Sequence, residues 1–116
     1  MLKSGPAKKV SIYVGEDQQY HGHALYGAIL DFLFKKGVSG ANVVRGIAGF
    51  GADHHLHTMK ILRLTENLPI RIEFIESAEI IQQLLPTLSE MVTEGLITMS
   101  EVEVIKHVHQ GGTKST

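Results

Sequence analysis

Val10, Ile12 and Val14 alternate with Ser11 and Tyr13, the period of two that marks a half-buried strand, and Gly15 ends it. After the polar stretch 16–23, apolar residues recur three and four positions apart at Leu25, Ala28, Ile29, Phe32 and Leu33 until Gly37. That spacing predicts a first helix over His21–Lys36, with the glycine as its C-terminal stop. Val43, Val44, Ile47, Ala48 and Phe50 predict a second strand, and Lys60–Leu64 a short one extending it as a hairpin. Ile70, Ile72 and Phe74, with Arg71 and Glu73 on the opposite face, predict a stronger strand opened by Pro69. Ser77 is the expected N-cap of a helix whose stripe is Ile80, Ile81, Leu84, Leu85, Leu88, Met91 and Val92. Pro86 lies inside this stripe, lacks an N–H, and predicts a kink or two successive short helices. Val102, Val104, Ile105 and Val108 predict the last strand.

The order strand, helix, strand, strand, helix, strand is the ferredoxin-like βαββαβ sandwich, an α+β fold with two helices on one face of a four-stranded antiparallel sheet. The other face is expected to be bare and apolar, with Tyr13, Ile75 and Ile105 on or near it, and so to mark a self-association surface. With 116 residues the chain has room for one such domain. Its expected bounds are 10–109, with 1–9 a disordered leader and 110–116 a flexible tail. Eleven Lys plus Arg against twelve Asp plus Glu leave no broad field for nucleic acid or an anionic membrane surface. No stretch of the leader is apolar enough to insert in a membrane. The absence of cysteine excludes a thiol nucleophile and a thiolate metal site, and fits a cytoplasmic location.

Three groups of residues carry candidate chemistry. In Arg45-Gly46-Ile47-Ala48-Gly49-Phe50-Gly51, glycines at a strand end permit positive φ and let backbone N–H groups converge on an anion, with Arg45 to pair with it. The same glycines also suit a bulge or a twisted corner. His54, His55 and His57 are possible ligands for a divalent metal, although their spacing matches no established motif. His107 and His109 fit a solvated strand edge. Glu16, Asp17 and His21 are the acid–base candidates, but no nucleophile accompanies them, and helix capping accounts for such a cluster more simply. The chain is therefore expected not to be an enzyme.

Taken in order, Gly15-Glu16-Asp17, Tyr20-His21-Gly22, Leu25-Tyr26, Val44-Arg45-Gly46-Ile47, Gly49-Phe50-Gly51, His57-Thr58 and Thr93-Glu94-Gly95-Leu96-Ile97 resemble a bacterial domain-of-unknown-function family, number one hundred and ninety, of the PII-like superfamily. The likeness runs from about Val10 to His107. It implies a homotrimer that holds a small ligand, often an adenine nucleotide, in clefts between subunits. It also implies that a loop, here 53–65, reports the ligand to a partner such as a transporter or an enzyme. Gly49-Phe50-Gly51 resembles the base of that loop, and Thr93 and Gly95 resemble the start of a second ligand loop. Arg45, His57 and Arg63 are the cations placed near the cleft.

Two departures narrow the expectation. Thr98-Met99-Ser100-Glu101 stands where PII signalling proteins carry an Asp-Gly-Lys segment and further basic residues, which favours a small anionic metabolite or a smaller phosphate compound over a nucleoside triphosphate. No tyrosine lies between Gly51 and Leu68, so the uridylylation of some relatives has no acceptor. The alternative within the same architecture is a divalent-metal-binding trimer that uses His54, His55 and His57.

Overall fold

A computed structural model describes residues 2–51, the backbone of 57–58, and residues 67–109. The strands are β1 (Gly5–Gly15), β2 (Gln19–Tyr20), β3 (His23–Ala24), β4 (Ala41–Arg45), β5 (Ala48–Gly49), β6 (His57–Thr58), β7 (Pro69–Glu76) and β8 (Leu96–Val104), and the helices are α1 (Leu25–Lys35) and α2 (Ala78–Met91). Four strands form one sheet in the order β4-β7-β1-β8, with every pair antiparallel. This is the ferredoxin-like plan expected from the sequence.

Its core is made by the predicted stripes. Val10, Ile12 and Val14 of β1 and Ile70, Ile72 and Phe74 of β7 are buried against Leu25, Ile29 and Leu33 of α1 and Ile81, Leu84, Leu88 and Met91 of α2. Each such side chain contributes about 1.5–3 kcal/mol by leaving water, so this layer is the principal source of stability. Ser77 caps α2 as predicted, its hydroxyl accepting from the Ile80 N–H at 3.4 Å.

Several boundaries differ from the expectation. Residues 5–9 are not a disordered leader: they form the first half of β1, with Ala7 opposite Val102 and Lys8 opposite Glu101 and Glu76. Leu2 is held further upstream, its N–H donating to Ser39 Oγ at 3.1 Å and its carbonyl lying 3.1 Å from a ring nitrogen of His107. The pairing is with a strand some 90 residues away, so no local alternation announces it. Helix α1 starts at Leu25 rather than His21, because His21 and Gly22 take positive φ and turn β2 back onto β3. The predicted second strand stops at Arg45, and β5 is a separate two-residue strand paired with β6. The last strand is Leu96–Val104 and ends before Ile105. Pro86 neither divides nor ends α2, which runs through it. Pro86 and Gln82, four residues earlier, are both exposed, so the carbonyl deprived of its helical donor faces water. The predicted Lys60–Leu64 strand and the 110–116 tail lie outside the described residues.

The bare face of the sheet is mixed rather than wholly apolar. Tyr13 and Ile75 do lie on it, but so do Lys9, Ser11, Arg71 and Glu73. Glu73 sits at the centre, 3.8 Å from Lys9 Nζ, 3.6 Å from Arg71 Nε and 3.3 Å from the Ser11 hydroxyl. Val44 and Leu96, both exposed, lie in one row with Arg71 and Tyr13, so apolar side chains border the charge cluster on this face.

Candidate functional site

The register brings the predicted site residues to one end of the sheet. Arg45 ends β4 opposite Ile70, Pro69 opens β7 opposite Gly15, and Leu96 opens β8 opposite Tyr13. Arg45, Gly46, Gly15 and Gly95 therefore sit at one end of the sheet, spread from outer strand β4 to outer strand β8. Thr93 lies exposed in the turn that leads there.

Backbone contacts explain two of the glycines. The Gly46 N–H donates to the Pro69 carbonyl at 2.7 Å, and a Cβ on Gly46 would sit 2.8 Å from Pro69 Cγ. Gly95 takes φ +151°, and a Cβ there would run into the Tyr13 carbonyl oxygen. Gly49 also packs on the Pro69 ring, and neither Gly46 nor Gly49 adopts the positive φ that an anion-cradling turn requires. The corner reading of this run is thus the one realised at these two positions, with the Pro69 ring as the object approached. Phe50 and Gly51 follow at the surface.

Arg45 is engaged within the chain. Its Nη2 lies 2.9 Å from Glu16 Oε2 and 3.2 Å from Oε1, and Oε1 also accepts from the Leu68 N–H at 3.3 Å. The two side chains are 46% and 25% exposed, so a solvent-borne anion has access to the guanidinium. Asp17 does not cap α1. Its N–H donates to Asn67 Oδ1 at 2.9 Å, while the uncapped start of α1 is met by the Gln18 carbonyl, which accepts from the Leu25 N–H at 2.8 Å.

Gln18 is the residue that sequence reasoning missed. Its Oε1 accepts from the Gly15 N–H at 2.7 Å and its Nε2 donates to the Glu94 carbonyl at 2.9 Å. One side chain thereby ties the end of β1 to the turn containing Thr93 and Gly95. A glutamine in a polar loop carries no local sign of that role; only the contact 76 residues away shows it. The acid–base grouping of Glu16, Asp17 and His21 is not assembled: Glu16 pairs with Arg45, Asp17 is exposed, and His21 stacks edge-on against Tyr20 with ring centroids 4.3 Å apart.

His57 pairs with Gly49 through the backbone, while Arg63, His54 and His55 lie outside the described residues. Among the described residues no group of three or more His, Asp or Glu side chains is placed to hold a metal ion, and no helix is long and apolar enough to cross a membrane.

This architecture is that of PII-like proteins. The chain matches the CPII protein of Thiomonas intermedia, solved bound to ADP, AMP and bicarbonate, with a TM-score of 0.68 at 21% identity over 91% of this chain and 94% of that one. It matches a putative PII-like signaling protein of Thermus thermophilus with a TM-score of 0.64 at 19% identity, covering 90% and 94% of the two chains. Over residues 7–104 the chain belongs to the DUF190 family, described as Uncharacterized ACR, COG1993. Its relatives include a UPF0166 protein of Methanocaldococcus jannaschii, 36% identical over 92% of this chain and 95% of that protein. A UPF0166 protein of Aquifex aeolicus is 34% identical over 84% and 92%.

Proposed function

We propose that the protein is a homotrimeric PII-like sensor without catalytic activity of its own. It binds a small anionic metabolite or an adenine nucleotide between subunits and regulates a partner, such as a transporter or an enzyme, through the 53–65 loop. The observation that carries this reading is that Arg45, an accessible guanidinium, and the Gly46–Gly51 corner stand at the same end of the sheet as the Thr93–Gly95 turn but on the opposite outer strand, so that a neighbouring subunit's turn is free to complete the cleft. The nucleotides and bicarbonate of the Thiomonas protein, which has the same fold, supply the ligand class. Gly46, Gly49, Phe50 and Gly51 shape one wall, Thr93 and Gly95 of a neighbouring subunit the other, and His57 and Arg63 add cationic groups from the loop. A ligand biases such a loop only by contacting it more strongly in one state than in the other.

Native mass spectrometry combined with calorimetric titration of ADP, AMP and bicarbonate tests the proposal. A trimer that binds at least one of them, with affinity lowered at least tenfold in Arg45→Ala, is the expected result. A monomer, or a trimer that gives no heat with any of the three, overturns it.

A further inference from the structure

A second concave surface lies on the helical face, lined by none of the residues assigned to the ligand site. It is a groove of about 870 Å³ between α1, the β2–β3 hairpin and the last turns of α2. Ala24, Gly27, Ala28, Asp31, Phe32 and Lys35 follow one another along it at three- and four-residue spacing, so it runs the length of α1, about 16 Å at 1.5 Å per residue. Thr87 and Met91 of α2 form the facing wall, and Tyr20 closes one end.

Two features of this groove bear on what it can hold. Gly27 is the third residue of α1, where glycine still lowers helix propensity, yet a Cβ at this position meets nothing within 4 Å. No packing constraint inside the molecule requires it. Its effect is a low floor, flanked by Ala24 and Ala28, on which another backbone can come close. The second feature is charge. The one carboxylate in the lining, Asp31, is held by Lys35 at 2.9 Å. Lys36 then remains beside it, over the Phe32 ring at 5.9 Å, and His21 and His23 add imidazoles at the opposite end. The groove is therefore apolar along its middle, with a cation at the Lys36 end and imidazole hydrogen-bonding groups at the other.

We propose that this groove docks an amphipathic helix of a partner protein, about three turns long, with small or aliphatic residues against Gly27 and Met91 and carboxylates toward Lys36 and His23. Groove length, the low floor, the Lys36 cation and the imidazole donors at the other end match the apolar stripe and acidic flanks of such a helix. A compact small molecule would occupy only part of the groove.

The test uses the full-length protein and two fluorescently labelled, side-chain-stapled 14-residue helices that share one Leu/Ala stripe, one flanked by Glu and the other by Lys. Anisotropy is expected to show binding of the Glu helix at least tenfold tighter than the Lys helix. Gly27→Leu, whose side chain enters open space, is expected to abolish that binding while retaining the thermal midpoint, and Lys36→Glu to weaken it at least fivefold. Equal affinity for both helices, no binding of either, or binding unaffected by Gly27→Leu overturns the proposal. So does binding of the amphipathic anion 1-anilinonaphthalene-8-sulfonate that Gly27→Leu blocks when neither helix binds, which makes the groove a small-molecule site. A change in subunit number in Gly27→Leu makes it a self-interface and likewise overturns the proposal. ADP titration of the same preparations reports on the sheet-end site separately, so failure of one proposal is distinguishable from failure of the other.

Discussion

Glu16 and Glu76 stand at opposite ends of the sheet, and the same carboxylate does different work at each. Glu76 is 1% exposed; its Oε2 accepts from the Ser39 N–H at 2.7 Å and its Oε1 from the Ser77 N–H at 3.4 Å. It joins the turn before β4 to the start of α2 and presents nothing to solvent. Glu16 sits at an edge that water reaches and shares its charge with Arg45. Burial and backbone donors make the first carboxylate a structural bolt, whereas partial exposure and a side-chain ion pair make the second exchangeable. At the Glu16 end, rigidity comes instead from the main chain, through the approaches of Gly46 to Pro69 and of Gly95 to Tyr13.

The largest effect is expected where the main chain itself is the constraint. In Gly95→Ala the new methyl group strikes a backbone oxygen at a φ that L-residues rarely adopt, and such strain with overpacking costs about 3 kcal/mol or more. Urea unfolding measures it. A loss below about 1 kcal/mol would mean that this end yields, and the contrast with the Glu76 end would break.

Glu76→Ala comes next. It takes the acceptor away from the Ser39 and Ser77 amides at a part-buried site, at about 1–3 kcal/mol by the same measurement. Glu76→Gln keeps one acceptor oxygen and is expected to recover part of that loss. If both variants unfold like the parent, the carboxylate is no bolt. Ser77→Ala, at the same end, removes the helix cap and is expected to cost about 1 kcal/mol, which hydrogen exchange would localise to the first turn of α2.

These two ends also show what a single sequence displays. Val10, Ile12, Val14 and the Ile70–Phe74 alternation, together with the stripe from Ile81 to Met91, place the core because each repeats with the period of its own element. The run from Arg45 to Gly51 is legible through its glycine pattern, and Gly95 through the family likeness alone. What stayed hidden is non-local. Gly5–Lys9 is strand because β8 and β7 pair with it, Gln18 matters because Glu94 is opposite it, and Glu76 is buried because Ser39 arrives there. The open face is mixed because Lys9, Arg71 and Glu73 stand on it beside Tyr13 and Ile75, neighbours that only the strand register reveals.

The smallest effect on stability is the most informative about function. Glu16→Gln keeps an acceptor for the Leu68 N–H but takes the negative charge away from Arg45. Because both side chains are partly exposed, the ion pair contributes at most about 0.5–1 kcal/mol to folding, and the unfolding midpoint is expected to move little. The guanidinium, however, loses its internal anion. If Arg45 contacts the ligand as proposed, Glu16 competes with that ligand for the same donors, and its neutralisation is expected to tighten ADP or bicarbonate binding severalfold, while Arg45→Ala weakens it. Calorimetry on the two variants separates the possibilities. Opposite shifts in affinity with unchanged stability would make Glu16 a built-in competitor for the anion, whereas equal affinities in parent and Glu16→Gln would confine the pair to holding β4 against the end of β1.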